Sequence, residues 1–100
     1  MSLQAKVVSL LSGIADPATR IDIASTIHYL FELYVTGGAR EEDIRRSLVE
    51  ICIDVLTYSR PELTFPERKE KAEQLADEFI RAFRIESLHR RMVSRFRPPL

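Results

Sequence analysis

One hundred residues, 45% of them apolar, suffice for one small domain with a single core and are too few for two. No apolar run approaches the roughly 18 residues of a membrane span, and the N-terminal stretch lacks the long apolar segment and small-residue cleavage site of a signal peptide. Cys52 is the only cysteine, which excludes an internal disulfide. It falls on the apolar face of its helix, so it reads as a buried, inert thiol, and a reducing cytoplasm is the expected setting.

The chain has no Asn, two Gln and no Trp, and 30% of it is charged. Few labile amides and many ions make a thermophile-like composition. Net charge is zero but unevenly placed. Residues 1–78 hold 9 basic and 14 acidic side chains, giving −5, whereas residues 79–100 hold 6 basic and 1 acidic, giving +5. Such asymmetry points to an acidic partner, to nucleic acid or membrane, or to docking on the acidic body of its own fold or of a second copy.

In chain order, Leu3, Val7, Leu10, Leu11 and Ile14 recur at helical spacing and predict a first helix over roughly 2–14. Asp16-Pro17 reads as an N-cap followed by proline at the first helical position. The second helix runs from 17 to 36. Its apolar residues are Ile21, Ala24, Ile27, Leu30, Phe31, Tyr34 and Val35, with Tyr29 and Leu33 one turn apart on the other side. Apolar character on nearly all sides predicts a central or interface helix. Gly37-Gly38 ends it. A third helix is expected from Arg40 to about Ser59, with Glu41, Glu42 and Asp43 in the first turn, where negative charge suits the helix dipole. Glu41–Arg45 and Glu42–Arg46 are expected as i,i+4 pairs, and Ile44, Leu48, Ile51, Cys52, Val55 and Leu56 as the buried face.

Arg60-Pro61 breaks the chain. Thr64-Phe65-Pro66-Glu67 then spells a capping box, which opens a fourth helix supported by Glu67–Lys71 and Asp77–Arg81 pairs. Here the apolar stripe turns. Leu75, Phe79 and Phe83 point one way, beside Ala72 and Ala76, while Ile85, Leu88, Met92 and Phe96 point roughly 150° away. One straight helix cannot bury both stripes against one core. Either the helix breaks at Glu86-Ser87, with Ser87 capping a fifth helix over roughly 88–97, or its last turns meet something else. Residues 98–100 read as a frayed tail after a single helical-bundle domain over 1–97. Short loops between four or five helices predict an all-α bundle with antiparallel neighbours.

Candidate chemistry is sparse. Two histidines on different helices do not make a metal site, and His28 with Glu32 one turn on reads as a local pair. Glu67, Glu70, Glu73, Asp77 and Glu78 are interspersed with Arg68, Lys69 and Lys71 and read as a solvated, ion-paired face. The helix–Gly-Gly–helix around Gly37-Gly38 is a poor DNA reader, because Glu41-Glu42-Asp43 would repel phosphate. No residue is assigned to catalysis, to a cofactor or to a metal. Arg84-Ile85-Glu86-Ser87-Leu88-His89 spells Arg-x4-His. Over these six residues and the helical class it resembles small all-α HEPN nucleases, although that family's polar residue after the Arg is here Ile85. The resemblance implies His89 as acid–base group and Arg84 as phosphate clamp.

The expected function is a small non-enzymatic helical interaction module that self-associates, as a homodimer or with a partner protein. Its surface is expected at Tyr29, Leu33, Leu88, Met92 and Phe96. Arg84, Arg90, Arg91, Arg95 and Arg97 are candidate contacts to phosphate or to an acidic partner. The alternatives are RNA or DNA binding through the Arg-rich C-terminal helix, and an Arg-x4-His ribonuclease.

Overall fold

The computed structural model describes residues 2–95. Among them are four helices and no strand: α1 (Leu3–Leu11), α2 (Pro17–Thr36), α3 (Glu41–Ser59) and α4 (Phe65–Arg95). The predicted all-α bundle is thus the architecture observed.

The helix boundaries follow local chemistry. Ser2 caps α1 by accepting from the Ala5 N–H at 3.1 Å. α1 ends at Leu11, three residues earlier than expected. Ile14, outside the helix, still donates its N–H to the Leu11 carbonyl at 3.0 Å and buries its side chain with Leu11 and Val55. Asp16 caps α2 through Thr19, with Pro17 at the first helical position. Gly37 closes it at φ 71°, in the left-handed region where a Cβ would be strained. α3 starts at Glu41, because Arg40 is extended and forms the cap position without a side-chain bond. The capping box of α4 is complete. The Thr64 N–H donates to Glu67 Oε1 at 2.8 Å, and the Glu67 N–H donates to Thr64 Oγ1 at 3.3 Å.

α4 is the spine of the molecule. Its 31 residues at 1.5 Å each span about 46 Å of a longest dimension of 54 Å. It runs unbroken through Glu86-Ser87, so of the two alternatives the helix continues, and a separate fifth helix over 88–97 does not form within the described residues. The reason is the register of Ser87. It lies one turn after Phe83 on the same inward face and is 3% exposed, inside the helix rather than at a cap. No proline or glycine stops the helix there. Phe96, Arg97 and the expected frayed tail 98–100 lie outside the described residues.

α3 and α4 pack antiparallel, as their cross-helix contacts show. Glu41 meets Arg84, Arg45 meets Asp77 and Thr57 meets Arg68, so residue numbers climb on one helix and fall on the other. Ala72 and Ala76, both fully buried, let the two backbones approach. The core joins Ile27, Leu30 and Phe31 of α2, Ile44, Leu48, Cys52 and Leu56 of α3, and Phe79, Ile80 and Phe83 of α4. Phe83 is its aromatic hub, with ring centroids 5.3 Å from Phe31 and 5.9 Å from Tyr34. Burial pushes the Cys52 thiol up to about 12, which keeps it protonated.

Ion pairing departs from the expected intrahelical pattern. Glu41 bonds Arg84 rather than Arg45, and Arg45 bonds Asp77 at 2.7 Å. Glu42 and Arg46 pair with Arg40 and Asp43 instead of with each other. Glu67 is committed to its cap, which leaves Lys71 without that partner. Glu41 and Arg45 thus take partners on α4, whereas Glu42, Arg46 and Glu67 keep to partners within two or three residues; an exposed i,i+4 pair contributes only about 0.3–0.5 kcal/mol and is readily replaced by either.

Candidate interaction surface

α3 begins at Glu41, and Glu41 is the partner of Arg84. Past Arg84, α4 therefore has no α3 alongside it. Only α2 and the start of α1 remain beneath it. Its inward face turns polar at this point, to Ser87 and Arg90. Its outward face becomes apolar, with Ile85 70% exposed, Leu88 58% and Met92 51%. At i, i+3 and i+7 these three residues share one stripe. Val93 adds a fourth exposed apolar side chain beside it.

The arginines of this segment divide into two groups. Arg84 donates from Nε and Nη2 to Glu41 Oε1 at 3.2 and 2.9 Å, and the Glu41 carboxylate holds its pKa above the ordinary value. Arg90 donates to Glu32 Oε1 at 3.1 Å and lies 4.9 Å above the Phe31 ring, as a cationic lid on the core. These two pin α4 to the bundle. Arg91 and Arg95 are exposed, and Arg91 makes no ion pair or hydrogen bond among the described residues.

Tyr29 and Leu33 do not join this surface. Tyr29 is 61% exposed, but it lies about 160° around α2 from Phe31, the side that meets α4. It therefore points away from the stripe. Leu33 is half-buried, packed against the core and roofed by the glycine turn, where a Cβ on Gly38 would stand 2.9 Å from Leu33 Cδ2. Tyr29 and Leu33 thus lie on a different face from Leu88 and Met92, with Leu33 at the core margin. Ile21, among the apolar residues of α2, is exposed as well.

Arg84 and His89 sit five residues apart on an unbroken helix and so point about 140° apart. With Arg84 engaged by Glu41, they do not converge on one phosphate within a single chain. His28 Nε2 lies 3.7 Å from Glu32 Oε1, within ion-pair range and beyond a hydrogen bond. No group of three or more His, Cys, Asp or Glu side chains among the described residues is placed to hold a metal ion. No helix among them is long and apolar enough to cross a membrane.

Sequence reasoning missed Glu41 and Glu32 as the anchors of Arg84 and Arg90, which are 43 and 58 residues away along the chain. No local spacing signals pairs at such separations. It also passed over Ile80, which is buried between Ala76 and Phe83. The helical register alone would have found that residue.

No protein-family model, curated protein or solved structure matches this chain.

Proposed function

We propose that this protein is a non-catalytic helical interaction module that self-associates through the outer face of the C-terminal half of α4. One observation carries the reading: a continuous helix reverses its apolar side after Arg84, so that Ile85, Leu88 and Met92 face away from the only core available to them. Among the described residues these three side chains are more than half exposed, and apolar side chains at helical spacing are what a partner helix buries. The charge asymmetry by itself favours no partner class, because Arg84 and Arg90 are already met by carboxylates of the same chain. A cytoplasmic setting suits a chain whose single thiol is sequestered in the core.

Phosphate binding is the less favoured reading, because Arg84 and Arg90 are held by the chain's own carboxylates. A nucleic-acid ligand would have to displace both pairs or rely on Arg91.

The test is the solution mass of the wild type against the double variant Leu88→Asp, Met92→Asp, by light scattering at several concentrations. Both positions are more than half exposed, so the variant keeps its helical spectrum. An oligomeric wild type and a folded monomeric variant are expected. A monomeric wild type, or a variant of unchanged mass, refutes the assignment. Salt-sensitive binding of labelled single-stranded RNA by the wild type would move the assignment to the arginines.

A further inference from the structure

A second feature, at the opposite end of α4, owes nothing to the exposed stripe. Where α1 and α3 both terminate against α4, they leave a groove of about 540 Å³, within the size range of small-molecule sites. Its floor is apolar: Leu10 of α1, Val55 and Leu56 of α3, Leu75 and Phe79 of α4. Its depth depends on Gly13. A Cβ at that position would stand 2.6 Å from Ser59 Cβ, so only glycine lets the end of α1 abut the end of α3.

The rim carries an unbalanced positive charge. Lys6 reaches across to Glu78 at 3.7 Å, and Arg60 is bonded to Glu62, which neutralises those two cations locally. Lys71 is left over. Its natural i,i+4 partner, Glu67, is fixed in the capping box, and the Lys71 ammonium has no ion pair or hydrogen bond among the described residues. Ser9 and Ser12 add hydroxyls along the same edge. An apolar floor below one uncompensated ammonium fits a monoanion with an apolar body.

We propose that this groove binds an amphipathic monocarboxylate of medium chain length. The hydrocarbon lies over Leu10, Leu75 and Phe79, and the carboxylate accepts from Lys71 at the rim. The contribution of the apolar floor is non-directional, so it accepts a range of tails. The ammonium supplies the discrimination for a single negative charge.

The experiment is a titration of the full-length protein with decanoate, kept below its micelle concentration and followed by amide ¹H–¹⁵N spectra. The chain has three glycines, so the Gly13 amide is a readily resolved reporter at the groove floor. Saturable shifts at Gly13, Ser59 and Lys71 are expected. Lys71→Glu should weaken binding about fivefold or more, and Lys69→Glu, outside the groove, should leave it unchanged. Decanol should bind more weakly than decanoate, and decyltrimethylammonium more weakly still. Shifts confined to the Ile85–Met92 stripe, an unsaturable response, equal binding by Lys71→Glu, or equal binding of the cation would each overturn the assignment.

Discussion

The two halves of α4 belong to one unbroken helix and yet make opposite use of amphipathicity. From Ala72 to Phe83 the apolar residues face the core, where Ala72, Ala76, Phe79 and Phe83 are almost wholly buried. After Arg84 the inward side carries Ser87 and Arg90, and the outward side carries Ile85, Leu88 and Met92. The switch coincides with the point where α3 begins, at the Glu41–Arg84 contact. The extent of the neighbouring helix thus decides which face of α4 has a core to enter. A helix is amphipathic relative to what lies beside it, and a spine longer than its neighbours can serve an internal core along one stretch and another surface along the next.

That contrast makes its largest prediction at the hub. Phe83→Ala removes a ring that is fully buried and packed at a tilt against Phe31 and Tyr34, and should cost about 3–5 kcal/mol in urea unfolding. Leu88→Ala, five residues on and more than half exposed, should change the stability of the unassociated chain by no more than about 0.5 kcal/mol. Equal losses at the two sites would mean that the outer stripe is packed within the monomer, and the contrast between the halves would fail.

A smaller effect of opposite sign is expected at the junction itself. Ser87 Oγ is buried and lacks a hydrogen-bond partner within the described residues. A buried hydroxyl without a partner is a cost, and serine is a poorer helix former than alanine. Ser87→Ala should therefore stabilise the protein by about 0.5–1 kcal/mol in the same urea assay. A loss of stability would show that the hydroxyl is bonded in solution and that the inward face of this segment is more than leftover polarity.

The legible part of the sequence was local. Asp16-Pro17, Gly37-Gly38, Arg60-Pro61 and the Thr64–Glu67 box punctuate four helices because each signal acts within a few residues, and α2 spans the range they predict. The reversal of the stripe near Arg84 could also be read directly. The choice between a break and a continuous helix could not, because it depends on whether Ser87 meets a neighbouring helix or water. The charges misled for the same reason. Arg45 had Glu41 one turn before it in sequence, and in the fold it had Asp77 at 2.7 Å. The half-burial of Leu33 was not legible, because the wheel of α2 does not show that the glycine turn folds back over it. The groove at the other end of α4 left no trace in the spacing, since it is formed by the ends of two helices far apart in sequence.

The finest test of the contrast concerns the pairs that hold each half down. Asp77, in the buried-stripe half, accepts from Arg45, and this bond holds its pKa below the ordinary aspartate value of 3.8. A carboxylate depressed in the folded state contributes stability that is present above its unfolded value and is lost as pH falls through the folded one. Asp77→Asn should thus be slightly less stable than wild type at neutral pH, by no more than about 0.5 kcal/mol for a pair this exposed. The difference should shrink as pH drops below 3.8 and vanish once wild-type Asp77 is itself protonated. Glu67 and Asp16, whose caps also depress them, add acid sensitivity of the same sign at the starts of α4 and α2. The comparison with Glu41→Gln is the informative one. Glu41 anchors Arg84 where the apolar side changes, so its loss loosens the outer segment, which Arg90 still ties to Glu32, without touching the packed half. Urea midpoints should then barely move, while hydrogen exchange quickens after Arg84 and stays slow before Phe83. Equal quickening along all of α4 would show that the two halves open as one unit.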